Sequence, residues 1–319
     1  MNTTVHIPVM PAEMLAYLDV KPDGLYIDAT YGGGGHSRMI LERGGRVFGI
    51  DRDPDALARG RARYGREIEE GKLRLVHSNH GNLHAVAEAH GVCKVDGVLM
   101  DLGTSSDQLD DPLRGFSFQH EGPLDMRMDT TAPFTAAELI ATASEEELAR
   151  IFRELGEEPR AKQFARVITR ARKEQSPVTT TALLAALSLE GAAGRRRFAG
   201  RHPATLVFQA LRMAVNREIE ELDAALEAGL ALLADHGKMV VITFESGTDR
   251  RVKTTFAAHA GRHVSLQEGG SRWEGKLPAV ERLTRHAVAP SAEERAANPR
   301  ARSAKLRAVR CLAAAEVPL

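Results

Sequence analysis

The sequence has little cysteine, no excess charge and no long apolar run, and each shortage excludes a class of protein. Its 319 residues include two cysteines, Cys93 and Cys311, which lie far apart and form no CxxC pair. Neither a disulfide framework nor a cysteine zinc site is therefore predicted. No stretch approaches the length of a membrane span, and the first residues show no basic and apolar leader. We expect a cytoplasmic protein without a membrane segment.

Basic and acidic residues are equal in number, with 43 Lys plus Arg and 43 Asp plus Glu. Bulk charge thus gives no sign of a nucleic-acid partner, which has to be argued from local patches. His77, His80 and His84 have a helical spacing, but Gly81 interrupts them and no neighbouring residue completes a tetrahedral set of ligands. We predict that the chain has no metal site.

A glycine-rich turn follows a short apolar run near the N-terminus. Residues 25–27 have the apolar character of a strand, glycines occupy 32–35, and 37–43 has a helical pattern. The dinucleotide spacing G-x-G-x-x-G fails in either register, because its third glycine would fall on Ser37 or Arg38. The turn still allows a ligand to approach the backbone at the edge of a parallel sheet.

A second strand pattern, at residues 46–50, brings Asp51 to the same edge. A carboxylate in this position can accept hydrogen bonds from both hydroxyls of a ribose. An acid for ribose, combined with a glycine turn that lacks a diphosphate spacing, indicates S-adenosylmethionine (SAM) rather than a dinucleotide. We therefore predict SAM as the cofactor.

Short apolar runs alternate with helical patterns from 24 to 102, as in a parallel, doubly wound α/β sheet. The next segment, 103–134, is irregular and too long for an ordinary connection, so we expect it to cover the pocket. Apolar residues then recur at helical spacing to about 190, which predicts an inserted helical domain. The predicted boundaries are 1–109 for the first part of the sheet domain, 110–203 for the loop and helical insertion, and 204–319 for the remainder of the sheet domain.

The sheet is predicted to resume after the insertion. A long helix from 204 to about 235 leads into a strand at 239–244. Three further strand-like runs, at 262–267, 282–288 and 305–312, are predicted to complete an edge of mixed direction.

Several long strings of unusual composition carry a resemblance to one family. The longest are Asp101-Leu-Gly-Thr-Ser-Ser-Asp-Gln-Leu-Asp-Asp111, Arg114-Gly-Phe-Ser-Phe118, Gly122-Pro-Leu-Asp-Met-Arg-Met-Asp129 and Asn298-Pro-Arg-Ala-Arg-Ser303. With shorter matches they run nearly end to end, and they resemble the bacterial 16S ribosomal RNA cytosine-N4-methyltransferases, the methyltransferase H family. The resemblance implies a class I SAM-dependent fold, Rossmann-like with an inserted all-helical domain, that methylates a cytidine in the decoding centre of the small ribosomal subunit.

Carried over position by position, the resemblance also implies a set of SAM contacts. His80 belongs to the region expected to line the adenine, where the family usually has phenylalanine. The residues expected to contact SAM are Gly34, Gly35, His36, Asp51, His80, Asp101 and Gln108.

The chain departs from the family pattern after the strand predicted at 239–244. The family usually reads Ser-Phe-His-Ser-Leu-Glu-Asp-Arg, whereas this chain reads Thr243-Phe-Glu-Ser-Gly-Thr-Asp-Arg250. Glu245 thus replaces a histidine and Thr248 a glutamate, close to the expected active site. Two alternatives remain open beside the implied enzyme: a catalytically silent paralogue that binds SAM and rRNA, and a methyltransferase of the same fold with a different substrate.

Asp101 ends the fourth strand pattern and is the candidate catalytic residue. The lone pair of cytosine N4 is delocalised into the ring, so the site has to accept hydrogen bonds from the amine while the methyl group is held in line. The alternative is that Asp101 only caps the following turn. Methylation at cytosine C5 would instead need a cysteine nucleophile in the catalytic loop, and neither Cys93 nor Cys311 lies there.

Two basic segments without acidic residues, 191–217 and 295–310, are candidate RNA contacts. Arginine pairs with phosphates and stacks on exposed bases. We therefore predict 16S rRNA within the small ribosomal subunit as the partner and leave the oligomeric state open. The candidate RNA-binding residues are Arg195, Arg196, Arg197, Arg201, Arg300 and Arg302, and the first segment also contains Arg212 and Arg217.

Overall fold

The computed structural model describes residues 8–189, 204–265 and 271–317. The chain divides into two compact units. The sheet unit comprises Met1–Gly103 and Glu220–Leu319, and the helical unit comprises Thr104–Ile219. The helical unit is therefore an insertion in the chain of the sheet unit.

Nine strands are present in the described residues of the sheet unit. They are β1 (Leu25–Asp28), β2 (Arg46–Asp51), β3 (Leu73–His77), β4 (Val95–Asp101), β5 (Leu233–Thr243), β6 (Arg262–Ser265), β7 (Ser271–Glu274), β8 (Val280–Arg282) and β9 (Lys305–Cys311). Seven of them form one sheet in the order β3-β2-β1-β4-β5-β9-β8. The first five of these are parallel, and β9 and β8 run antiparallel to their neighbours. This topology confirms the predicted doubly wound, Rossmann-like α/β fold.

Successive residues of the strands alternate between two apolar cores, one on each face of the sheet. In β4, Val98 and Met100 join one core and Leu99 joins the other, and all three are fully buried. Burial on both faces is why the strands of a parallel sheet appear as continuous apolar runs in the sequence. The helices of this unit are α1 (Pro11–Leu18), α2 (Gly35–Glu42), α3 (Pro54–Arg63), α4 (Gly65–Glu69), α5 (Leu83–Ala89), α12 (Glu218–Leu232), α13 (Ser246–Ala260) and α14 (Ala292–Ala297).

The helical unit has a separate apolar core. Its helices are α6 (Ser106–Asp110), α7 (Ala136–Thr142), α8 (Glu145–Glu154), α9 (Ala161–Glu174), α10 (Thr180–Leu189) and α11 (Ala204–Val215). The unit extends beyond the expected 110–203 at both ends. Phe116 and Leu124 from the irregular segment, and Phe208 and Leu211 from α11, are buried in its core, which is why these segments belong to it.

The long helix predicted from 204 to about 235 is wrong, because the chain forms two helices, α11 and α12, with a break at Asn216 and Arg217. Arg217 has a left-handed backbone with φ of 49°. The Asn216 amide donates to the Met126 carbonyl at 2.7 Å and accepts from the Met128 N–H at 2.7 Å. These contacts hold the end of α11 inside the helical unit.

The predicted mixed edge is correct for the last strand and wrong for the first. The run at 305–312 forms β9, which pairs antiparallel with β5. The run at 262–267 instead contributes β6, which pairs with β7 in a separate hairpin. Of the run predicted at 282–288, only Arg282 belongs to a strand, β8 (Val280–Arg282), which pairs with β9 on the side away from β5. Across the described residues, no helix is long and apolar enough to cross a membrane.

Candidate cofactor site at the carboxyl edge of the sheet

The sheet order places β1 between β2 and β4, and the three parallel strands end at the same edge. Asp28, Asp51 and Asp101 are the last residues of these strands. The connections from β1 and β4 leave in opposite directions across the sheet, which opens a crevice at this edge. Three carboxyl groups thus converge where a doubly wound sheet binds its ligand.

The turn after β1 is shaped by Tyr31 as well as by its glycines. Gly34 has φ of 72°, and a Cβ atom there would lie 2.5 Å from the Tyr31 hydroxyl oxygen. Added Cβ atoms at Gly49 and Gly60 would lie 2.9 Å and 2.7 Å from atoms of the same Tyr31 ring. Gly49 of β2 and Gly60 of α3 therefore leave room for the Tyr31 ring, which belongs to the turn. The spacing of the glycines within the turn does not reveal this role.

Asp28 accepts hydrogen bonds from both the turn and the helix α2 that follows it. Its Oδ2 accepts a hydrogen bond from the Ser37 hydroxyl at 2.7 Å, and its Oδ1 accepts from the Thr30 N–H at 3.3 Å. Asp28 is 1% exposed, and burial raises its pKa above the ordinary value. Nothing in the sequence marks Asp28 as a site residue, because its role depends on a contact with α2 that only the fold reveals.

Asp51 holds two backbone amides at the end of β2. Its Oδ2 accepts from the Gly32 N–H at 2.6 Å and its Oδ1 from the Asp53 N–H at 2.8 Å. Each carboxylate oxygen can accept a second hydrogen bond, so both can still receive ribose hydroxyls. Burial raises the pKa of Asp51 to about 6, against the opposing effect of the two amide hydrogen bonds. The group is therefore mainly ionised at neutral pH.

Asp101 lies beside His36 on the other side of β1. The His36 Nδ1 is 3.7 Å from the Asp101 Oδ2, and the His36 Nε2 is 2.9 Å from the Val9 carbonyl oxygen. Because a carbonyl only accepts, Nε2 carries a hydrogen, and this contact orients the ring beside Asp101. The Asp101 N–H donates to the Thr30 hydroxyl oxygen at 2.7 Å, which fixes the end of the strand.

The Asp101 carboxyl is held in an unusual electrostatic state. Its Oδ1 is buried and has no hydrogen-bond partner within the part of the chain that the structure describes. Burial raises its pKa to about 6, with the negative charge of Asp28 adding to the shift and His36 opposing it. A buried acceptor without a donor costs free energy in the unliganded protein, and the cost is offset when a ligand donates to it.

His80 follows β3 and lies against the residue after Asp51. Arg52 Nη2 donates to the His80 Nδ1 at 3.2 Å, so the hydrogen of the neutral ring resides on Nε2. Burial, together with the positive charge of Arg52, lowers the pKa of His80 to about 3, which keeps the ring neutral. Among the described residues Nε2 has no partner, so it is a buried donor without an acceptor.

The remaining predicted residues fall in different places. Gly35 is the first residue of α2 in the sheet unit. Gln108 belongs to the helical unit, where it is buried and its side chain accepts from the Ser105 N–H at 3.0 Å in a capping box. Among the predicted RNA contacts, Arg300 and Arg302 are exposed in a short 3-10 helix, Pro299–Ser303. Arg195, Arg196, Arg197 and Arg201 lie outside the described residues.

Two departures from the expected pattern lie after β5. Glu245 precedes α13, and Thr248 is buried in its first turn. The neighbouring Asp249 accepts from Arg307 of β9 at 2.6 Å and 3.1 Å, so this part of α13 is fixed to the sheet. Arg212, in the first predicted RNA segment, is also committed to an internal pair, with Glu218 at 2.7 Å.

The residues at this edge fit SAM. SAM carries a cationic amino group, which suits the buried Oδ1 of Asp101, and a ribose, which suits the free lone pairs of Asp51. Gly32 and Gly34 have positive φ values, which residues with side chains rarely adopt. The turn therefore has no side chains at these two positions. In the residues that the structure describes, no group of three His, Cys, Asp or Glu side chains could hold a metal ion.

The chain is similar to known proteins over nearly its whole length. A family model described as the MraW methylase family matches residues 3–312. A ribosomal RNA small subunit methyltransferase H from Thermomicrobium roseum is 48% identical over 314 residues, covering 98% of this chain and 95% of that protein. The protein of that name from Lactiplantibacillus plantarum is 43% identical over 313 residues, covering 97% and 98%. A solved rRNA methylase from Streptococcus thermophilus aligns with a TM-score of 0.40 at 11% identity, covering 95% of each chain; this likeness supports no conclusion.

Proposed function

The chain belongs to the MraW methylase family, and on this premise we propose that it transfers the methyl group of SAM to N4 of a cytidine in the decoding centre of 16S rRNA. The substrate in this proposal is the small ribosomal subunit in the cytoplasm. The relatives that carry the name rRNA small subunit methyltransferase H match almost all of this chain and of themselves. The observation that carries the proposal is the Asp101 carboxyl, a buried acceptor at the switch point of a SAM-dependent methyltransferase sheet.

The residues that would hold SAM are distributed along the edge of the sheet unit. Asp51 would accept hydrogen bonds from the ribose hydroxyls. The backbone of the turn at Gly34 and Gly35 would lie beside the ligand. His80 would donate from Nε2 to a ring nitrogen of the adenine, which a phenylalanine at this position could not do. When bound, SAM supplies a methyl group made electrophilic by its sulfonium.

The chemistry at N4 needs an acceptor more than a strong base. N4 of cytosine is a weak nucleophile, so orientation of the amine toward the methyl carbon is the main contribution that a protein can make. Asp101, ionised at neutral pH, would accept an N–H of the amine or of the SAM amino group. On methylation, the Asp101 carboxylate would take up the proton that N4 loses.

His36 lies beside the Asp101 carboxyl and opposes the rise in its pKa, which favours the ionised acceptor. The His36 Nδ1 is 3.7 Å from the Asp101 Oδ2, which is too far for a hydrogen bond, so the interaction is electrostatic. The Val9 carbonyl accepts from the other ring nitrogen and fixes the ring. His36 would therefore favour the charged form of the acceptor without bonding to it.

The test is mass spectrometry of cytidines from unmodified small subunits after incubation with the protein and methyl-labelled SAM. The expected result is labelled N4-methylcytidine at a single site of the decoding centre. Label at several positions, or only on another base, would contradict the assigned target. SAM binding without any label would favour the alternative of a silent binding protein, and would associate that outcome with Glu245 and Thr248.

A further inference from the structure

One face of α9 in the helical unit carries four exposed basic side chains. Lys162, Arg166, Arg170 and Lys173 recur at intervals of four, four and three residues. This spacing places them within about 80° of arc and spreads them over about 16 Å of helix length. We call these four residues the α9 stripe.

The stripe is held in a fixed orientation by the opposite face of the helix. Phe164, Val167 and Ile168 on that face are buried in the core of the helical unit. Arg172, in the last turn of α9, donates to the Ile140 carbonyl of α7 at 2.9 Å. The helix cannot rotate about its axis without exposing this core, so all four cations remain on the solvent side.

The stability of the helix does not explain this arrangement. Like charges at i and i+4, such as Lys162 and Arg166, or Arg166 and Arg170, destabilise a helix by a few tenths of a kcal/mol per pair, roughly. A cation in the first turn, as at Lys162, also opposes the helix dipole. Only Lys173, in the last turn, is favoured by the dipole. The stripe therefore costs helix stability at three of its four positions.

One residue of the stripe has an acidic partner on the neighbouring helix α8. Arg166 lies 3.7 Å from the Glu145 carboxylate of α8, and the two side chains are 69% and 38% exposed. An exposed pair at this distance contributes little and is easily exchanged for another anion. Within α9 the single acidic residue is Glu174, at the end of the helix. All four side chains of the stripe nevertheless remain exposed to solvent.

We propose that the α9 stripe binds the phosphate backbone of the rRNA substrate, an inference that rests on the proposed function. One cation per helical turn of about 5.4 Å is comparable to the step between successive phosphates of a nucleic-acid strand. Charged contacts of this kind position a nucleic acid without reading its sequence. The stripe supplies affinity for rRNA and leaves the choice of cytidine to the methyl-transfer site.

The experiment compares the full-length protein with two fourfold variants. The test variant is Lys162→Gln, Arg166→Gln, Arg170→Gln and Lys173→Gln. The matched control replaces four exposed arginines of the sheet unit, at Arg59→Gln, Arg61→Gln, Arg63→Gln and Arg66→Gln. Binding to unmodified small subunits and to a 16S rRNA transcript is measured against salt concentration, and SAM affinity by calorimetry checks the fold of each variant.

The test variant is expected to bind both RNA probes about 10- to 100-fold more weakly, with a salt slope smaller by about 3 in logarithmic units. The control should stay within about threefold of the unaltered protein. Equal losses in both variants would show non-specific attraction and would overturn the inference. A loss on subunits with unchanged binding to the transcript would assign the stripe to a ribosomal protein instead. The unaltered protein's methyl transfer is measured separately, so a failure of the proposed function is distinguished from a failure of the stripe.

Discussion

Carboxyl groups behave in opposite ways at the edge of the sheet unit and in the helical unit. At the edge, burial raises the pKa values of Asp28, Asp51 and Asp101, the last two to about 6. In the helical unit, burial also acts on Asp125, but hydrogen bonds from the Arg127 guanidinium and amide outweigh it and lower its pKa. At the edge of the sheet, burial outweighs the hydrogen bonds that Asp28 and Asp51 accept, whereas the hydrogen bonds to Asp125 outweigh burial.

This difference separates a reactive site from a scaffold. Groups whose charge is costly in the folded state can gain from a ligand, and such groups cluster at functional sites. Asp125 already accepts hydrogen bonds from Arg127, two residues along the chain, at both carboxylate oxygens. It therefore has little to gain from a ligand. On this contrast we propose that the chemistry lies in the sheet unit and that the helical unit has structural and binding roles.

The largest expected effect is on methyl transfer. Asp101→Asn removes the negative acceptor but keeps the size of the side chain, so the rate should fall at least about 100-fold. RNA affinity should fall much less, because the change is confined to the reacting centre. The matched variant is Asp125→Asn, in the helical unit, which should retain activity. Equal losses of rate and RNA affinity in Asp101→Asn would argue for a structural role.

The next effect is on SAM affinity. Asp51→Ala removes an ionised acceptor and should weaken SAM binding about 10- to 100-fold, since hydrogen bonds to charged groups contribute about 1.5–3 kcal/mol. Isothermal titration calorimetry measures this directly, and Asp125→Ala is the control from the other region. Unchanged affinity in Asp51→Ala would contradict the ribose assignment.

The pH dependence of methyl transfer is a third test. Protonation of Asp101 removes its acceptor, so at saturating SAM the rate should fall about tenfold per pH unit below a pH of about 6. The residual rate of Asp101→Asn should not show this inflection. A wild-type profile that is flat from pH 7.5 to 5 would exclude Asp101 as the titrating acceptor.

The smallest effect is on stability, and its sign should differ between the regions. A folded pKa above the ordinary value of 3.8 means that the folded protein binds the proton more tightly, so stability decreases as pH rises through about 4 to 6. Asp101→Asn should therefore raise the free energy of unfolding at pH 7.5 by about 1–3 kcal/mol, and the gain should vanish near pH 4.

Asp125 should show the reverse response. Its lowered pKa contributes stability above the ordinary range of an aspartate and loses it as pH falls through the folded pKa. Asp125→Asn should then lower the free energy of unfolding by about 1 kcal/mol at pH 7.5 and have little effect at low pH. Urea denaturation at several pH values measures both variants, and changes of the same sign would contradict the comparison.

Local patterns were sufficient to predict the sheet and its edge. Five parallel strands follow from apolar runs alternating with helices, and Asp51 and Asp101 could be located because each ends such a run. The non-local contacts could not be predicted. The break at Asn216 depends on backbone groups 88 and 90 residues away in sequence, and the seat of Tyr31 depends on glycines of β2 and α3.

Charge patterns required the structure for a different reason. The apolar spacing of α9 predicted its buried face. The basic residues on the other face could not be identified as a candidate binding surface until their exposure was known. Conversely, Arg212 belonged to an acid-free segment of sequence but pairs with Glu218 just beyond it. A count of charges along a chain does not show which of them reach solvent.

The position of the helical unit between β4 and β5 has a consequence for the order of folding. These strands pair directly, Asp101 with Ile242, although the whole segment Thr104–Ile219 separates them in sequence. Closing so long a flexible loop costs entropy that a folded insertion, with its ends held at a fixed separation, reduces. If the helical unit, which has its own core, folds before β5 pairs with β4, the flexible loop to be closed is shorter. Variants that destabilise this core should delay the pairing of β4 with β5 even though neither strand is altered.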